Sequence, residues 1–176
     1  MKQVLVILRG APSSGKSTLA KNLRDYNKRI VWLKVDNFKP FFSDNTNIIV
    51  DDVNKTAINS LSYLLDQGFS VIMEGIFQNP QYIQNAIDIA KQKNIPSFAY
   101  QLGCSLRTLQ ERDKTREGVK EGCRKLLGDE VIKRLYEVIE NNPFKNIVKL
   151  NTEQKSFDEC LIIIKRNFDY GLQNKN

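Results

Sequence analysis

The feature that most narrows what this chain can fold into is an unbroken apolar run, Val4 to Leu8, that leads into a glycine loop, Gly10-Ala-Pro-Ser-Ser-Gly-Lys-Ser-Thr18. Five consecutive apolar residues suit a strand buried on both faces, as in a parallel sheet covered by helices. Leu19, Ala20 and Leu23 then recur at helical spacing, so strand, loop and helix follow in order. The loop satisfies G-x-x-x-x-G-K-[ST], in which glycines let successive backbone N–H groups turn inward upon phosphate oxygens. A helix starting near Lys16 adds the positive end of its dipole to the same place. The pattern makes Gly10, Ala11, Pro12, Ser13, Ser14, Gly15, Lys16, Ser17 and Thr18 the expected nucleotide cradle. Lys16 is expected to reach the β- and γ-phosphates, and the Ser17 hydroxyl to ligate Mg²⁺.

Beyond the loop, apolar runs alternate with amphipathic segments. Strands are expected at Ile30 to Val35, Phe69 to Met73, Ser97 to Leu102 and Ile147 to Leu150. Between them, Asp51 to Gln67 carries Val53, Ala57, Leu61, Leu64 and Leu65 on one face and closes at Gly68. Pro80 suits the first turn of a helix running to about Asn94, Ser105 can cap one carrying Leu106 and Leu109, and Gly128-Asp129 precede another. A last helix follows Ser156, and Gln173 to Asn176 are expected to fray. Alternation of this kind predicts a single α/β domain spanning residues 1–176, with a parallel sheet covered on both faces.

The 176 residues suffice for one sizeable core. No stretch approaches the roughly 20 apolar residues of a membrane span. The N-terminus enters the first strand directly, so no signal peptide is expected. Cys104, Cys123 and Cys160 lack metal-ligand spacing and read as free thiols, which predicts a cytoplasmic protein. Histidine is absent, so any general base must be a carboxylate or a lysine. The net charge of +7 admits nucleic acid as a partner, although a site for ATP also needs local cations.

In parallel sheets ligands collect at the carboxyl ends of strands, which singles out Asp36 and Glu74. Asp36 can take the proton of a substrate hydroxyl or help hold Mg²⁺, or else cap a turn. Glu74 can bind polar groups of the substrate or position water near the metal. Phe38, Phe41 and Phe42 beside Asp36 can stack on an acceptor ring or belong to the core. Arg112 and Arg116, four residues apart, would share one helix face and stabilise charge on a transferring phosphoryl group. The charged stretch Gln110 to Lys125, with Gly118 and Gly122 and little apolar stripe, suits a mobile lid over about 110–128 better than a packed helix. No apolar run ending in Asp-Glu and no Asn-Lys-x-Asp occurs, which leaves phosphoryl transfer to an acceptor rather than a motor or a GTP switch.

Together the Gly10–Thr18 loop, Asp36, the Glu74-Gly75 pair and Leu109-x-x-Arg112-x-x-x-Arg116 resemble the small P-loop kinases. Within these the chain is most similar to the predicted-kinase group of zeta toxins, chloramphenicol phosphotransferases and polynucleotide kinases. The resemblance spans most of the chain, with the phosphate loop its most specific part. It implies a P-loop NTPase fold of three layers, with five parallel strands in the order 2-3-1-4-5 and a helical lid. It also implies ATP–Mg²⁺ as donor, Asp36 as base, Arg112 and Arg116 as lid arginines, and Asn151 and Thr152 beside adenine. The expected activity is transfer of the γ-phosphate to a hydroxyl of a small molecule or nucleic acid. A polynucleotide 5′-hydroxyl kinase and an ATP-binding switch without catalysis are the alternatives.

Overall fold

The computed structural model describes residues 2–42, 50–116 and 125–173. In chain order the elements are β1 (Leu5–Arg9), α1 (Lys16–Arg24), β2 (Ile30–Lys34), a 3-10 segment (Val35–Phe41), α2 (Val50–Asp66), β3 (Ser70–Gly75) and α3 (Gln81–Gln92). They continue with β4 (Ser97–Gly103), α4 (Leu106–Lys114), α5 (Asp129–Asn141), β5 (Val148–Asn151) and α6 (Phe157–Gln173). The strands form one sheet in the order β2-β3-β1-β4-β5, and every pairing is parallel. Fold class and strand order therefore agree with the expectation.

The apolar run of β1 divides by parity, as alternating side chains in a strand must. Leu5 and Ile7 join the core beneath α2 and α3, with Val53, Ala57, Leu61, Ile83 and Ala86. Val4, Val6 and Leu8 face α1 and α6 and pack on Leu19, Ala20, Leu23, Ile164 and Phe168. A smaller cluster of Ala11, Cys104, Leu109, Ile132 and Ile139 ties the glycine loop to α4 and α5. With β3 on one side of β1 and β4 on the other, the chain reverses its winding at β1. The crevice at the carboxyl end of β1 is therefore where a ligand belongs.

Helix ends follow the expected chemistry. Ser105 Oγ accepts the Thr108 N–H at the start of α4. Ser156 and Glu159 form a reciprocal capping box, with Ser156 Oγ accepting from the Glu159 N–H and the Glu159 carboxylate accepting from the Ser156 N–H.

One expectation changes. Gln110 to Lys114 belong to α4, and Asp113 there is only 2 % exposed, so the first part of the supposed flap is packed helix. Asp113 is held by the backbone N–H groups of Leu127 and Gly128 and by Arg116, which join the two ends of the segment. Residues 117–124 of the expected lid, with Gly118, Gly122 and Cys123, lie outside the described residues, as do Asn174 to Asn176. Cys104 and Cys160 are buried free thiols whose burial pushes their pKa up. Among the described residues no helix is long and apolar enough to cross a membrane.

Candidate active site

The glycine loop leaves β1 in a conformation that its sequence permits and few others would. A Cβ on Gly10 would lie 2.3 Å from the Leu102 carbonyl oxygen, so only a bare backbone passes β4 at this point. Gly15, at φ 95, is the N-cap residue of α1 and supplies no side-chain cap. The first-turn N–H groups of α1 therefore face the crevice with the positive end of the dipole. Gly10→Ala is expected to collapse the loop, with nucleotide affinity lost in a calorimetric titration while far-UV circular dichroism stays native. Ser13, at φ 64, and Ser14 carry buried hydroxyls without a hydrogen-bond partner. Buried polar groups are seldom left unpaired, so these two fit a ligand rich in acceptor oxygens.

Lys16 is buried and donates to the Ala11 carbonyl at 2.8 Å, folded back along the loop. Burial pushes its pKa down to about 8, against the opposing pull of Glu74 and Asp36 and with Lys34 and Arg116 lowering it further. Four elements thus project charge onto one ammonium. A bound phosphate would hold the proton on Lys16, so nucleotide binding at pH 8 is expected to take up about half a proton. Titration calorimetry in buffers of different ionisation enthalpy reads that uptake directly.

Glu74 lies within β3 rather than past its end and is 3 % exposed. One carboxylate oxygen accepts from Ser17 Oγ at 2.6 Å and the other from Trp32 Nε1 at 2.8 Å. The Ser17 proton is thereby committed to Glu74, and its oxygen is left as an acceptor that already takes a hydrogen bond from the Lys34 ammonium. Lys34 Nζ stands 3.4 Å from the same Oγ. Among the described residues no cluster of three or more acidic, Cys or His side chains could hold a metal by itself.

Asp36 sits in the first turn of the 3-10 segment after β2, half-exposed, with Lys39 paired to it at 2.6 Å. Phe38 and Phe42 pack against the core beneath α2, which favours the core reading for both. Phe41 is instead 75 % exposed and meets Phe38 edge-to-face at 5.5 Å between ring centres.

On the opposite side of the loop a cavity of about 290 Å³ is lined by Ser13, Gly15, Thr18, Arg112, Thr152 and Phe157 among others. Arg112 donates to Thr152 Oγ1 at 2.9 Å and to the Thr152 carbonyl at 2.7 Å, which fixes its guanidinium at the cavity wall. Arg116 lies beyond the end of α4 and pairs with Asp113 at 3.1 Å. The two arginines therefore do not share a helix face: one borders the cavity, while the other exerts its field on Lys16. Asn151 Oδ1 accepts the N–H groups of Glu153 and Gln154 and shapes the turn, so Thr152 is the member of that pair that lines the cavity.

Sequence reasoning passed over Arg9. It is fully buried at the end of β1 and donates to the carbonyls of Phe77 and Asn142 and to Gln101. It braces β1, β4 and the end of α5 behind the loop. A charge ending a fully buried strand was the available signal, since such a charge needs fixed partners. Trp32 and Lys34 were also passed over; each becomes visible only through its contact with Glu74 or Ser17.

Similar folds are widespread among solved structures. A Chloroflexus aurantiacus protein matches with a TM-score of 0.65 at 22 % identity, over 97 % of this chain and 99 % of that one. A gluconokinase from Sinorhizobium meliloti matches with 0.65 at 17 %, over 96 % and 91 %. A chain of the Pnkp1/Rnl/Hen1 RNA repair complex matches with 0.64 at 20 %, over 80 % of this chain but 45 % of that one. No curated protein sequence matches. The Zeta toxin family model matches residues 1–168. With the strand order and the phosphate loop in place, the chain belongs to the Zeta toxin family and is a P-loop kinase.

Proposed function

We propose that this kinase transfers the γ-phosphate of ATP, as its Mg²⁺ complex, to a hydroxyl of its acceptor, with Asp36 as the general base. The observation that carries this reading is the phosphate loop itself, with buried Lys16 following two unpartnered buried serine hydroxyls and Ser17 bonded to Glu74. The loop amides and Lys16 hold the β- and γ-phosphates, and the cavity bordered by Arg112 and Thr152 takes the base and ribose. Ser17, oriented by Glu74, would hold Mg²⁺, and the ion would neutralise charge on the phosphates. The acceptor enters on the Asp36 side, its hydroxyl proton passes to the carboxylate, and its oxygen attacks the γ-phosphorus in line with the departing ADP. Arg116, released from Asp113, is a cation whose field reaches Lys16 and that can follow the charge in transfer.

Incubation with γ-labelled ATP and a panel of nucleosides, oligonucleotides, sugars and aminoglycosides tests the reading. Label is expected on one acceptor class in the wild type and on none in Asp36→Asn; unlabelled products throughout would favour a nucleotide switch. Exposed Phe41 beside Lys39 supports a second reading, an oligonucleotide 5′-hydroxyl acceptor whose base stacks while its phosphates meet lysine. That acceptor predicts binding that weakens steeply with salt.

A further inference from the structure

Trp32 occupies an unusual place for the only tryptophan of the chain. It lies two residues before Lys34 on β2, on the same side of the sheet, and its ring packs against the core shared with α1. In the β2–β3 register Lys34 stands opposite Glu74, so Trp32 reaches that carboxylate diagonally across the strands. Its indole N–H donates at 2.8 Å to Glu74 Oε2, while Oε1 accepts the Ser17 hydroxyl at 2.6 Å. A carboxylate pinned at one oxygen cannot swing the other away. Without that pin, buried Glu74 would be free to turn toward the nearby ammonium groups of Lys34 and Lys16 and release the Ser17 proton.

We propose that Trp32 is a positioning residue for the metal-binding hydroxyl. It acts through Glu74, which keeps the Ser17 proton pointing inward and so leaves for a cation the lone pair that does not accept from Lys34. Indirect ligand supports of this kind are worth about 10–100-fold in metal affinity. The assignment rests on the reading of Ser17 as a ligand to Mg²⁺, and it predicts an effect confined to the metal-dependent part of nucleotide binding.

The test is calorimetric titration of ADP into wild type and Trp32→Phe, each in Mg²⁺ and in EDTA. The phenylalanine keeps a ring in the core and removes only the donor and part of the indole. Wild type is expected to bind ADP more tightly in Mg²⁺. Trp32→Phe is expected to lose about tenfold of that Mg²⁺ enhancement while binding as wild type does in EDTA. An unchanged enhancement, or an equal loss in both media, overturns the role. If wild type itself shows no enhancement, the metal reading fails instead, and the positioning role falls with it. A second measurement needs no variant: emission from the lone tryptophan should shift with ADP and Mg²⁺ but not with ADP and EDTA, and identical spectra would overturn the proposal.

Discussion

Asp36→Asn is expected to lower the rate of phosphoryl transfer by about 10²–10⁴, the usual contribution of a general base. Nucleotide affinity should stay near the wild-type value, because Asp36 lies on the acceptor side of the loop and lines no part of the cavity bordered by Arg112 and Thr152. The asparagine keeps the shape of the side chain and can still hydrogen-bond, but it cannot accept the acceptor's proton. It also frees Lys39, whose ion pair with Asp36 is half-exposed and contributes little to stability. Single-turnover transfer and equilibrium titration of nucleotide separate these effects. Unchanged turnover would remove Asp36 from the chemistry and leave it as a turn residue.

Lys16→Met should have the opposite signature, with binding and transfer falling together by about 10³-fold in kcat/KM, as expected when a preorganised donor to the phosphates is lost. The unliganded protein should meanwhile become more stable. Lys16 has a folded pKa of about 8 against an ordinary 10.5, so the unfolded chain binds the extra proton between those values. Keeping the buried ammonium charged therefore costs stability in full below pH 8, and the cost fades as pH rises toward 10.5. The gain from methionine should be largest at neutral pH and shrink above pH 8, as measured by thermal denaturation across pH. The uptake of a proton with nucleotide should vanish in the same variant. Stability gained where function is lost is the usual mark of a residue held under strain by its task.

Much of the site could be read from residues in series. Gly10 to Thr18 announced a phosphate loop because its chemistry depends on backbone and on neighbours within one turn. Asp36 and Glu74 could be singled out because strand ends are predictable places for ligands in a parallel sheet. The lid was read less well. Spacing suggested that Arg112 and Arg116 share a face, yet the helix ends at Lys114 and buried Asp113 draws Arg116 aside. Asp113 there accepts the N–H groups of Leu127 and Gly128, a contact across 14 and 15 positions that no local pattern encodes. Asn151 was likewise expected beside the nucleotide, but its own turn claims its side-chain oxygen.

By itself the order of residues determined the alternation of strand and helix, the parallel sheet and the anion-binding loop, because each depends on periodicity or on groups a few positions apart. Only the tertiary structure decided what surrounds Lys16 and Ser17. Trp32 sits in β2 and Asp36 just past it, Glu74 in β3 and Arg116 just beyond α4, and their mutual fields and hydrogen bonds exist only after β2 and β3 have packed beside β1 and α4 has settled near the loop. Electrostatic and hydrogen-bond energies fall off within a few ångströms, so sequence separation carries almost no information about them until the fold has set the distances.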